Sequence, residues 1–276
     1  MTTPRLAALS LYPVKSLAGV GVTRAVVEPW GLSGDRRWMV TAPDGAVLTQ
    51  REHPRMALAA AEPLPGGGLR LSAPGTQPLD VGVPDPAAGG LTVVDVWRTE
   101  VEAVTAAQDA CAWFTAYLGT EARLVHLDAP EHRRPVAPRY DGPGQTVSFA
   151  DKLPLLLTTV SSLDALNLLI AQGDHADEGP LPMNRFRPNA VVEGTPPWSE
   201  DDWRRVRIGE VTFRVVEACG RCVVTATDQA TAERGKEPLR TLARHRRFDD
   251  RLVFGQLLIP ERTGLLRTGD PFEVLA

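Results

Sequence analysis

What most limits the fold of this chain is the shortness of its apolar runs. Each ends within a few residues at a proline, a glycine or a charge, and the 276 residues hold 24 glycines and 24 prolines. Runs of that length, alternating apolar with polar and bounded by turn residues, suit strands better than helices. "RLAALSLYPVKS" opens with a strand that Pro13 ends. "RRWMVTAPDGAVLTQ" reads as strand, a turn at Pro43-Asp44-Gly45, then strand. "LPGGGLRLSAPGTQPLDVGVPDP" and "LTVVDVWRTEVEAVT" continue the pattern, and "IGEV" marks a tight turn between two later strands. Two helices interrupt it. One is predicted over Asp109–Leu118 with Gly119 as its stop, the other from an N-cap at Ser161 or Ser162. The Pro, Arg and Gly of 130–144 read as a connector, and "CVVTAT" as a continuing strand. Many short strands with few helices predict a β-barrel or sandwich, mainly β with minor helices (α+β).

Composition excludes several classes of function. A chain of 276 residues makes one large domain or two of about 150. With 43% hydrophobic and 23% charged residues it buries a core. Thirty basic against 34 acidic residues give −4, which argues against a nucleic-acid partner. No apolar run approaches the ~20 residues that cross a bilayer, and "MTTPRLAALSLYPVKS" lacks a signal peptide's apolar stretch, so no membrane insertion is expected. Three cysteines fit a reducing compartment rather than a disulfide framework, and a cytoplasmic monomer is expected.

Two of those cysteines sit in "EACGRCVVTATDQ", after a Val/Phe-rich strand. Structural zinc would need a second Cys or His pair, and none is present. A redox pair would normally open a helix, where none is predicted. On spacing alone, Cys219 and Cys222 are small buried hydrophobes. Other stretches shift that balance. Lys15 and Ser16 end the first strand, and Arg36 and Arg37 follow a Gly-rich turn. Arg51 lies in "TQREHPR", and "NRFRPN" brings together Arg185, Arg187 and Asn189. This repeated strand-end set of Lys, Arg, Ser and Asn is a donor set for phosphate and a polar heterocycle. Elsewhere the readings are plainer. Phe149 and Trp97 are expected in the core, "RHRRFDDR" on a solvated surface that could meet an acidic electron donor, and His126 and His132 in structural roles.

"YPVKSLAGV", "GDRRWMV", "LTQREHPRMAL", "NRFRPNAVV", "ACGRCVVTATD", "KEPLRTL" and "FGQLLIPERTGLLRTGDPFEVL" together resemble the MOSC-domain proteins (molybdenum cofactor sulfurase C-terminal), and among them the mitochondrial amidoxime-reducing component and its bacterial relatives. The resemblance runs in order from Leu11 to Leu275. It implies an N-terminal β-barrel-like domain over 1–125 and a MOSC β-barrel core over 126–276. It also implies the molybdenum cofactor (molybdopterin with Mo), held by a single cysteine thiolate. In this pattern that is the second cysteine, Cys222, with Cys219 a structural or tuning neighbour; soft thiolates suit such a metal. Lys15, Ser16, Arg36, Arg187 and Asn189 match the family's pterin and phosphate contacts, with Arg51 and Thr159 as further carry-overs. Gly220 stands where close relatives often have Ser.

The implied activity is two-electron reduction of N-oxygenated compounds such as hydroxylamines or amidoximes. Asp228, six residues beyond Cys222, is a candidate proton relay or site-ordering carboxylate if one strand carries both; otherwise it caps a turn. No cysteine set for an iron–sulfur cluster is present. Electrons are therefore expected from an external donor protein: a flavin reductase, a ferredoxin or a b-type cytochrome. The alternatives are a non-catalytic cofactor carrier and a sulfur-transfer protein. The sulfurase resemblance also brings in pyridoxal phosphate binding, although no such domain is evident and a partner would have to generate the persulfide.

Overall fold

A computed structural model describes residues 3–140 and 145–276. The first strands are β1 (Arg5–Leu11), β2 (Val20–Val22), β3 (Arg24–Glu28), β4 (Gly31–Leu32) and β5 (Trp38–Thr41). A meander follows: β6 (Ala60–Pro63), β7 (Leu69–Ser72) and β8 (Leu79–Val81). After the short helix α1 (Pro86–Gly89), β9 (Leu91–Asp95) and β10 (Glu100–Thr105) form a hairpin. Then come α2 (Gln108–Leu118), β11 (Arg123–His126) and α3 (Pro130–Arg133). The second half holds β12 (Leu155–Thr159), α4 (Val160–Ala171), β13 (Ala190–Glu193), β14 (Arg205–Ile208) and β15 (Val211–Gly220). It ends with α5 (Leu239–His245), β16 (Arg247–Phe248), β17 (Arg251–Pro260), β18 (Gly264–Arg267) and β19 (Phe272–Val274).

The mainly β, α+β expectation holds. The largest sheet runs β19-β14-β15-β17-β12-β13-β1-β2, with β16 paired to β17. Its centre is buried on both faces, which is why "LLLTT" and "AVV" read as continuous apolar runs. β12 and β13 are its parallel pair, joined through α4, while β1 pairs antiparallel with β13, setting Leu6 opposite Val192 and Leu9 opposite Ala190. β3 alternates, Ala25 and Val27 inward, and pairs with β18 from the far end of the chain. One core therefore joins Leu6, Leu9, Val27 and Leu32 with Val206, Phe213, Leu258 and Leu266. A second core, around Trp38, Met56, Phe114 and Leu124, fills the β5-β11-β10-β9 region. Pairings of the first 32 residues thus cross the expected division at 125/126.

The turns read from sequence form where expected. Gly45, at φ 86°, closes a turn in which Ala42 N donates to Ala46 O (2.8 Å), and Gly209-Glu210 links β14 to β15. Gly119 ends α2 in the left-handed conformation. Three expectations are corrected. "CVVTAT" is not strand: β15 ends at Gly220, and Val223–Ala226 is a 3-10 turn because Cys222 O accepts both Thr225 N (3.0 Å) and Thr225 Oγ1 (2.9 Å). The cap of α4 is Thr159, not a serine; its Oγ1 accepts from Ser162 N at 3.2 Å. Trp97 is not in the core but 40% exposed, because it sits in the β9–β10 turn, whereas Phe149 is fully buried. Of the connector, 130–133 is α3, and 141–144 lie outside the described residues.

Candidate functional site

Strand ends and loops from both halves converge on a cavity of about 380 Å³. The loop after β1 contributes Lys15 and Ser16, the β4–β5 connection Arg36, and the long β5–β6 connection Arg51. The segment before β13 supplies Arg185, Arg187 and Asn189, and the end of β15 supplies Cys219, Arg221 and Cys222. Seven of the nine residues expected from sequence therefore line one cavity: Lys15, Ser16, Arg36, Arg51, Arg187, Asn189 and Cys222.

The backbone is bent to bring them there. Ser16, Arg36 and Arg187 all adopt left-handed conformations, φ 67°, 49° and 55°. Such conformations are costly outside glycine and recur where a side chain must be aimed. Asn189, almost fully buried, ties the wall together: its Oδ1 accepts from Arg36 Nη1 (3.1 Å) and Leu156 N (3.2 Å), and its Nδ2 donates to Ser10 O (3.2 Å). Arg36 also donates to Asp35 Oδ2 at 2.5 Å. Tyr12 lies between two cations, its ring 4.6 Å from the Arg36 guanidinium and 4.3 Å from that of Arg187. Burial lowers Arg187 to about 10, an effect that neighbouring Arg36 reinforces.

Lys15 is buried; its Nζ donates to Phe149 O at 2.8 Å and pairs with Asp151. Burial lowers its pKa to about 8, against the pull of Asp151. Burial works to raise Asp151, but Lys15, Arg51 and the Trp97 indole outweigh it and hold the carboxyl well below its usual range. Its side chain is still 59% exposed, so water screens these pairings. At the thiol, Arg51 Nη2 lies 3.4 Å from Cys222 Sγ, with its guanidinium 4.3 Å from the Trp97 ring centroid. Arg221 Nη1 donates to Cys219 Sγ at 2.9 Å, so each sulfur has its own arginine. Arg221 Nε is buried without a partner. Among the described residues, no three His, Cys, Asp or Glu side chains gather as a metal-ligand group.

Two expected residues stand apart from the cavity. Thr159 is fully buried; its Oγ1 caps α4 and lies 2.8 Å from Ser162 Oγ and 3.3 Å from Glu200 Oε2, a structural role. Asp228 does not share a strand with Cys222, because the 3-10 turn intervenes. Its Oδ1 accepts from Ala230 N (2.8 Å) and Thr231 N (3.0 Å), the turn-capping alternative, and Oδ2 lies 3.4 Å from Arg185 Nη1. The Ala230 N–H leads in holding its carboxyl below the usual range, which suits an ordering charge behind Arg185 better than a proton relay. In "RHRRFDDR", Arg246 is buried between Trp198, Phe248 and Asp201 rather than solvated. His126 is buried against Trp38, and burial lowers it to about 4. Sequence reasoning missed Tyr12, Asp151 and Arg221, although Tyr12 and Arg221 lie inside the motifs "YPVKS" and "ACGRC".

Comparison with known proteins places the chain in a family. The MOSC N-terminal beta barrel domain matches residues 3–121 and the MOSC domain residues 144–273. The mitochondrial amidoxime-reducing component 1 of Xenopus laevis is 31% identical over 95% of this chain and 80% of its own length. The human protein of the same name is 32% identical over 98% of this chain and 82% of its own. The molybdenum cofactor sulfurase of Anopheles gambiae is 35% identical over 92% of this chain but only 34% of its own length, so the rest of that enzyme has no counterpart in the match. No helix among the described residues is long and apolar enough to cross a membrane. With both domains matched in order and identity above 30% along nearly the whole chain, the protein belongs to the MOSC family that includes the mitochondrial amidoxime-reducing components.

Proposed function

We propose that this protein is a molybdenum-cofactor-dependent reductase of N-hydroxylated compounds, fed by an external electron-donor protein. In this reading 1–125 form the N-terminal barrel domain and 126–276 the MOSC domain. The single observation that carries it is the placement of the half-buried thiol of Cys222, with Cys219 beside it, in the wall of a cavity whose polar side chains are mostly cations. The donor set fits the cofactor. Lys15, Ser16, Arg36, Arg187 and Asn189 offer the charge-assisted and amide hydrogen bonds that a phosphate and a pterin edge require. Cys222 offers the soft ligand, and Arg221 Nε is a donor with no partner of its own. When bound, the cofactor supplies the two-electron chemistry.

The chain's own groups do the rest. Arg36 and Arg187, braced on Tyr12, orient the anionic end. Arg51 bridges the thiol to the Asp151–Trp97 side of the cavity. Leu153, Leu156, Val224 and Leu257 give the walls an apolar share that keeps bulk water back. Converting an N-hydroxyl to N–H and water takes two electrons and two protons. Lys15 Nζ, at about 8, holds a proton near neutral pH next to an acceptor carboxylate.

The test is molybdenum content by elemental analysis, with pterin fluorescence and turnover of an N-hydroxylated compound by an artificial donor. Cys222→Ser is expected to lose metal and activity while keeping much of the pterin. Normal turnover by that variant overturns the ligand assignment. Stoichiometric cofactor with no turnover of any N-hydroxylated compound favours a carrier instead. A cyanide-releasable persulfide on either cysteine favours sulfur transfer.

A further inference from the structure

The cavity wall holds seven cationic side chains and a single carboxylate, Asp151. The reading above gives this acid a part only as the acceptor beside Lys15, and an acid weakens any anion site. Its geometry is specific. Oδ1 accepts from Lys15 Nζ and from Trp97 Nε1 (3.0 Å), and Oδ2 lies 4.0 Å from Arg51 Nη2. The lysine side chain beneath is 6% exposed and the aspartate 59%, so the carboxylate lies on the solvent side of the cation it covers.

The surroundings hold it there without locking it. Arg134, itself buried, donates from Nη1 to Ser148 O and Ala150 O (2.5 Å each) and from Nη2 to Asp151 O (3.3 Å), which pins the backbone of this segment. A side-chain rotation is then enough to lift the carboxylate away. Trp97, which supplies the second donor, has φ 57°, and Arg98 after it has φ 68°. Two consecutive non-glycine residues in the left-handed region are a costly way to build a turn, and they place an indole N–H on Asp151.

We propose that Asp151 is a resident anion that occupies the Lys15–Arg51 end of the cavity and makes the site selective for dianions such as phosphate monoesters. A monoanion would exchange one carboxylate for another that is tethered in place at high effective concentration, and would gain little. A dianion also engages Arg36 and Arg187, neither of which Asp151 contacts by a hydrogen bond, and so can displace it. In the ligand-free protein the same carboxylate offsets the cost of burying Lys15 as a cation. The proposal rests on the reading of the cavity as a phosphate site, and is independent of metal and redox chemistry.

Titration calorimetry of the full chain, purified without cofactor, tests it with methyl phosphate and with acetate at about pH 7, where a phosphate monoester is mainly dianionic. Asp151→Asn is expected to bind methyl phosphate about tenfold tighter than the wild type and to gain measurable acetate binding. Trp97→Phe keeps the carboxylate but removes its indole donor, and should tighten methyl phosphate by a smaller factor. Equal or weaker methyl phosphate binding by Asp151→Asn overturns the proposal while leaving the phosphate site standing. If neither wild type nor Asp151→Asn binds methyl phosphate, the phosphate-site reading falls along with it. Should Asp151→Asn fail to fold by circular dichroism, Trp97→Phe decides, and an unchanged affinity overturns the proposal.

Discussion

Lys15 is a buried cation that burial brings to about 8, well below its value in an unfolded chain. Below that pH the charge is present and available to an anion; as pH rises through about 8 the free protein loses it. Methyl phosphate affinity is therefore expected to fall above about pH 8, and Lys15→Arg, which does not titrate there, should remove the fall. The stability sign is the reverse. The unfolded chain binds more protons than the folded one between the two pKa values, so Lys15 contributes a gain in stability as pH rises from about 8 towards 10.5. Lys15, Arg36, Arg187 and Cys222 share one cavity, and each stands in a distinct sequence motif at or near a strand boundary. Thr159 does not line the cavity: an N-cap and a ligand contact use the same hydroxyl, and only the fold shows that Ser162 and Glu200 already engage it. Asp151 left no signal, since its meaning comes from Lys15, 136 residues away in sequence.

At the scale of elements, the β9–β10 turn is where sequence and backbone disagree most. Turns containing glycine, such as Pro43-Asp44-Gly45, are readable because glycine takes positive φ without cost. Trp97-Arg98 contains no glycine, so "VDVWRTEV" reads as alternating strand sequence and carries no sign of two left-handed residues. Replacing Arg98 with Gly keeps the turn's hydrogen bond from the residue-98 N–H to Asp95 Oδ1 (3.1 Å) and removes that strain. Thermal unfolding should show Arg98→Gly more stable by about 1 kcal/mol, an upward shift of about 2–4 °C. The opposite error occurred after Cys222. Val223, Val224 and Thr225 have strong strand propensity, yet the Thr225 contacts to Cys222 O curl the chain. That curl separates Asp228 from the cysteine it was expected to accompany.

On the scale of the whole molecule, mainly β architecture followed directly from run length, but strand partnership did not. β1 looks local in sequence and is not: its neighbours are β2 on one side and β13 on the other, while β3 pairs with β18. A fragment of 126–276 would lose Leu6, Leu9, Val27 and Leu32 from its main core and leave β13 and β18 with open edges. It is expected to show no cooperative thermal transition and no near-UV circular dichroism of a packed core, whereas a folded, cooperative fragment would show that the first 32 residues are dispensable. The same interlocking sets a timetable during synthesis. At roughly 5–20 residues per second, β1 waits about 10–40 s for β13 to be made. Lys15 and Cys222 cannot face each other until nearly all of the polypeptide has left the ribosome. The last residue to line the cavity is Leu257 in β17, so no product that stops short of β17 can complete the cavity wall.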